Sequence, residues 1–159
     1  MYRLCLFLAI LGIAAIAGPT LTILHTNDLH QALDRLPGIA GYVAQYKANN
    51  PDTVFIDGGD WFDRGSSLPT VTRGKAIYGA MATMGYDMIV PGNHDWSYSG
   101  MRLRQLMTKY PMPVLGSNLG AADHPLPKNV VPILVKELAG IRVGFFGITL
   151  DTYGRNARH

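Results

Sequence analysis

Cysteine is nearly missing from this chain. Among 159 residues there is one, Cys5, and it lies inside an apolar N-terminal run. Residues 18–159 therefore hold no disulfide and no thiolate chemistry, even if the protein is exported. A dense basic cluster is missing too. The formal net charge is only +3, which excludes the charge pattern of a nucleic-acid binder. The apolar run from Leu4 to Ala17 falls short of the ~20 residues that a membrane span needs. No internal repeat and no low-complexity segment is present.

The N-terminus "MYRLCLFLAILGIAAIAG" instead has the build of a secretory signal. It carries a positive charge at Arg3, then the apolar run, then Ala15-Ile16-Ala17 with small residues at the spacing that signal peptidase accepts. Residues 1–17 are expected to be a signal peptide, with export to the periplasm or the extracellular space. No stable membrane association is expected after cleavage.

What the chain has in quantity is glycine, proline and apolar residues. The 18 glycines and 10 prolines fit many short connections, and a 48% hydrophobic content suffices for one domain. Apolar runs alternate with helix-like segments. "LTILHT" (21–26), "TVFIDG" (53–58), "YDMIVPG" (86–92) and "MPVLGSNL" (112–119) read as strands. Residues 36–50, 73–85 and 99–110 read as helices, with Ser99 or Ser97 as a cap for the last. Residues 130–150 read as a hairpin-like unit about Leu138-Ala139-Gly140, leading into a last buried strand. Such alternation implies an α/β fold with a parallel sheet, whose ligands gather outside the carboxyl ends of the strands.

The first three strands each end in a turn rich in oxygen or imidazole groups. Asp28 and His30 follow the first, Asp60 the second, and Asn93 and His94 the third. Asp28 and His30 are two residues apart, so one turn can aim both at a single ion. Asp60 can bridge two ions through its two oxygens, and Asn93 offers an amide oxygen. Two such ions can activate water and clamp a phosphate ester, while His94 stabilises or protonates the leaving oxygen. Alone, each residue would read as an ordinary turn residue. Asp57 reads as a strand-end turn residue, and His25 and His124 have no assigned role. Trp61, Phe62 and Trp96 could line a cleft or fill the core.

"NDLH", "GGD" and "GNHD", in this order and spacing, resemble the calcineurin-like metallophosphoesterases. "LTILHTNDLHQAL", "VFIDGGDWFDRGSS" and "YDMIVPGNHDWSYSG" are most similar to the N-terminal catalytic domain of secreted 5'-nucleotidases. The resemblance implies a four-layer sandwich of two sheets flanked by helices, of which residues 18–159 would be the N-terminal part. It implies two divalent ions (Zn, Mn, Mg or Fe), with Asp28, His30, Asp60 and Asn93 as ligands and His94 as the catalytic histidine. The substrate would be a small phosphorylated molecule of nucleotide type. Two departures stand out. The family pairs its catalytic histidine with an aspartate three positions later, where this chain has Ser97. The family's later glycine-flanked histidines do not occur, so a longer gene product is expected, with this portion by itself inactive. "GDWFDRG" (59–65) also resembles the second motif of Ser/Thr protein phosphatases, whose arginine, here Arg64, touches phosphate. Another ester hydrolase on the same scaffold, or a secreted binding protein without catalysis, are the remaining alternatives.

Overall fold

A computed structural model gives the fold, and it describes residues 18, 20–30, 32–62, 70–120 and 125–150. The expected signal peptide, Arg64 and His124 lie outside these residues. Five strands form one parallel sheet: β1 (Thr22–Thr26), β2 (Thr53–Asp57), β3 (Met88–Ile89), β4 (Val114–Leu115) and β5 (Val130–Val131), in sequence order across the sheet. The helices are α1 (Leu36–Asn49), α2 (Lys75–Met81) and α3 (Gly100–Lys109). A parallel sheet wound in one direction by right-handed crossovers collects its helices on one face. That is seen here, since Phe55, Ile89 and Val114 pack against Leu36 and Val43 of α1, Ile77 and Met81 of α2, and Leu103 and Leu106 of α3.

The period-2 alternation of the strands sends Val54, Met88 and Leu115 to the other face. There they meet a separate antiparallel hairpin, β6 (Ile133–Leu138) and β7 (Ile141–Phe146), through Leu134, Leu138, Val143 and Phe145. Ala139 (φ 50°) and Gly140 (φ 76°) join the two strands. Two positive φ values in succession are what a tight hairpin turn matching the strand twist requires. Helices, parallel sheet and hairpin make three of the four expected layers. No helix among the described residues is long and apolar enough to cross a membrane.

Two expectations for residues 130–150 need correction. Val130 and Val131 are not part of the hairpin but pair with β4 as a fifth parallel strand. Pro132, which lacks an N–H, separates them from β6. The last strand is also not buried on both faces. Val143 and Phe145 point at the sheet, while Phe146 is 67% exposed and Ile133, beside it on the same outer face, is 59% exposed. Ser99, rather than Ser97, caps α3, its hydroxyl accepting from Arg102 N at 3.3 Å.

Candidate metal centre

The turns after β1, β2 and β3 meet at the carboxyl edge of the sheet because pairing continues past the strands. Gly58 N donates to Thr26 O at 2.8 Å, Asp28 N to Gly59 O at 2.8 Å, and His30 N to Asp60 O at 3.0 Å. On the other side Val90 N donates to Asp57 O at 2.9 Å. Gly59 and Gly92 make the last approach possible. Gly59 has φ +104°, and a Cβ there would lie 2.3 Å from Gly92 N; a Cβ on Gly92 would lie 2.2 Å from Asp60 Oδ1. Only glycine fits at either position.

This convergence gathers Asp28, His30 and Asp60, with one ligand atom from each all within 4.8 Å of one another. His30 Nε2 lies 3.3 Å from Asp28 Oδ1. All three residues adopt left-handed backbone, with φ of 54°, 39° and 61°. Asp and His tolerate that region better than most residues, yet three in one cluster mark a site where local conformation serves the placement of side chains. The donor set, two carboxylates and an imidazole, suits a divalent cation of borderline character such as Zn, Mn or Fe. Asp28 is exposed and His30 and Asp60 are half-buried, so one side of the cluster is open to solvent. The Asn27 amide, hydrogen-bonded to Asp28, holds that carboxyl below its ordinary range, in the ionised form that a cation needs.

His94 stands beside the cluster, its ring edge-on to His30 with centroids 5.0 Å apart. Its backbone N–H donates to Asp60 Oδ1 at 2.8 Å. Asn93 is half-buried between Gly92 and His94, within the same turn. Asp95 does not face His94. It is fully buried, and its carboxylate accepts from Gly92 N at 2.7 Å, Asp60 N at 2.9 Å, Trp61 N at 2.8 Å and Phe62 N at 3.2 Å. Burial pushes its carboxyl well up, against the pull of these N–H donors.

Asp57 is more than a turn residue. Its buried carboxylate accepts from Thr26 Oγ1, Trp61 Nε1 and, at 2.7 Å, Gly59 N. Thr26 Oγ1 in turn lies 2.6 Å from the Tyr86 hydroxyl. Burial pushes the Asp57 carboxyl up to about 6 despite these donors. Trp61, Phe62 and Trp96 belong to the core, with Trp61 and Phe62 fully buried. Trp96 Nε1 donates to Thr149 Oγ1 at 3.0 Å, while Asn118 and Thr149 exchange two bonds of 2.7 and 3.1 Å. These contacts tie the segment after β7 to the third turn. A groove of about 580 Å³ on α3, lined by Met101, Arg104, Lys109 and Pro125 among others, contains none of the residues of this centre.

The model of calcineurin-like phosphoesterases matches residues 21–146. The chain belongs to that family. Among its relatives, the uncharacterized metallophosphoesterase YunD of Bacillus subtilis is 30% identical over 139 residues, 84% of this chain and 30% of the relative. The mouse 5'-nucleotidase is 29% identical over 151 residues, 81% of this chain and 26% of the relative. Among solved structures, the 5'-nucleotidase precursor of Thermus thermophilus superposes with a TM-score of 0.67 at 26% identity, over 81% of this chain and 28% of that one. The NAD nucleotidase of Haemophilus influenzae has the same fold, with a TM-score of 0.73 at 19% identity over 81% of this chain and 26% of that one. The chain thus spans under a third of the length of these relatives.

Proposed function

We propose that this chain carries cation-binding residues of the active site of an exported phosphoesterase that hydrolyses nucleotide-type phosphate esters. The observation that carries the reading is the meeting of Asp28, His30 and Asp60 on left-handed backbone at one sheet edge, with His94 beside them. Asp28, His30 and Asp60 would hold one divalent ion, and Asp60 with Asn93 would contribute to a second. Such ions supply an activated water and neutralise phosphate charge. His94, edge-on to His30 and half-buried, is near enough to the cluster to donate a proton to the leaving oxygen in this reading. Asp95, turned inward, leaves that imidazole free of a neighbouring carboxylate from its own turn.

The nucleotide assignment is supported by the likeness to two 5'-nucleotidases, one from mouse and one from Thermus thermophilus. The test is a substrate panel on the protein after metal reconstitution: nucleoside monophosphates, UDP-sugars, phosphopeptides and bis(p-nitrophenyl) phosphate. Nucleotides or UDP-sugars are expected to turn over fastest. A clear preference for phosphopeptides would replace this reading by the protein-phosphatase one, in which Arg64 contacts phosphate. Export rests on residues 1–17, with cleavage after Ala17; an exported protein whose sequenced N-terminus is still Met1 would contradict the signal.

A further inference from the structure

We propose that Asp95 is a positioning residue that presets Asp60 for the cation before any cation is bound. The inference rests on the metal reading of Asp28, His30 and Asp60. Two carboxylates staple the second and third turns in opposite directions. Asp60 Oδ1 reaches across to accept from His94 N at 2.8 Å. Asp95 Oδ2 reaches back to accept from Asp60 N at 2.9 Å and from its own turn at Gly92 N, 2.7 Å. Asp95 Oδ1 accepts from Trp61 N at 2.8 Å and Phe62 N at 3.2 Å. The amides of Asp60, Trp61 and Phe62 are consecutive donors, and all point at one side chain.

A run of consecutive amides aimed at the oxygens of one buried carboxyl group fixes the backbone that carries them. Here that backbone includes Asp60 at φ 61°, a left-handed conformation that costs an aspartate more than a glycine and that these bonds help to hold. The direction of the Asp60 side chain follows from it. Asp95 is fully buried, so water cannot stand in for its bonds. Groups that orient a ligand from behind typically contribute 10- to 100-fold to metal affinity. A residue that merely holds the core together would contribute nothing to affinity in chains that remain folded.

Asp95→Asn separates these cases. The side chain keeps its size but offers one oxygen in place of two, so at least one pair of amides faces an NH₂ group. The measurement is Co²⁺ binding by the chain, read as a dissociation constant and as the visible d–d absorption that reports coordination geometry. Leu106→Val, a core change in α3, serves as the stability control. The expected result is a dissociation constant raised at least about 10-fold with an altered spectrum in Asp95→Asn, and neither change in Leu106→Val. Wild-type affinity and spectrum in Asp95→Asn, or equal losses in both variants, would overturn the inference. A wild-type chain that binds no Co²⁺ at all would instead overturn the metal reading beneath it. If Asp95→Asn does not fold, amide hydrogen exchange in the metal-free wild type decides. The Asp60 and Trp61 amides are expected to be protected before Co²⁺ is added; free exchange there, with protection gained only on addition, would refute presetting.

Discussion

Asp87 enters β3 and Asp95 follows its exit, and the two carboxylates meet opposite surroundings. Asp87 is held by Lys47 Nζ at 2.6 Å, by Lys136 Nζ and by Phe55 N at 2.9 Å, and the two ammonium groups keep its carboxyl below the ordinary range against partial burial. At the other end of the sheet stand Asp28, Asp57, Asp60 and Asp95. Among the described residues no lysine or arginine pairs with any of them. Backbone amides, the Thr26 hydroxyl and the Trp61 indole hold Asp57 and Asp95 instead, and burial pushes both carboxyls up. One end of the sheet closes its electrostatics with its own side chains. The other gathers carboxyl groups with no cationic side chain among the described residues to pair them, and leaves the Asp28 and Asp60 oxygens open to a cation from outside.

The strongest attack on this contrast removes the charge at its centre. Asp60→Ala is expected to abolish activity and metal together, measured as bound metal per chain and phosphate release. Retained metal with lost turnover would mean that Asp60 is not a shared ligand. Next in size, His94→Ala is expected to keep the metal and lose about 10²–10⁴-fold in kcat, the usual range for an acid–base group. Loss of metal in that variant would make His94 a ligand and redraw the site.

Side-chain type alone carries the signal for where the strands end. β1 and β2 are short, β-branched apolar runs that form where expected, and Asp28, His30, Asp60, Asn93 and His94 lie in the turns just after strands. What escaped the sequence reading depends on backbone direction. The left-handed φ of Asp28, His30 and Asp60 has no marker in composition. Asp95 is adjacent to His94 in sequence, but the residues His94–Trp96 form a 3₁₀ turn. With three residues per turn, neighbours point about 120° apart, so Asp95 goes inward while His94 stays at the open edge. β5 was hidden because "VV" and the hairpin share one apolar run, and only Pro132 marks the break.

A subtler test uses pH. An aspartate in the unfolded chain titrates near 3.9, whereas Asp57 in the folded chain titrates at about 6. Between these values the folded chain binds a proton that the unfolded chain has released, so folding is favoured as pH falls through 6 and disfavoured as it rises. For Asp57 the full effect is ~2–3 kcal/mol, and Asp95 acts in the same direction. Asp87 and Asp28 act below the ordinary carboxylate range and do not oppose it in this window. The metal-free wild type should therefore lose more stability than Asp57→Asn between pH 5 and 7.5, by denaturant titration. Parallel pH profiles would remove Asp57 from the set of buried charges at that end.

The smallest expected effect lies at the opposite end. Lys136 sits on the inner face of the hairpin, opposite Val143, and its ammonium reaches Asp87. Lys136→Met keeps the stem that covers the sheet and removes only the charge. Asp87 retains Lys47 and the Phe55 amide, and all three charged side chains keep some contact with water. The cost is then that of a partly screened ion pair, ~1 kcal/mol or less, and it should shrink in 0.5 M salt. Co²⁺ affinity should not change, because Asp87 and Asp95 stand at opposite ends of β3 and share no partner. A shifted affinity in Lys136→Met would show that the hairpin clamp is coupled to the metal edge. The two ends would then have to be treated as one electrostatic unit, and the contrast between them would lose its meaning.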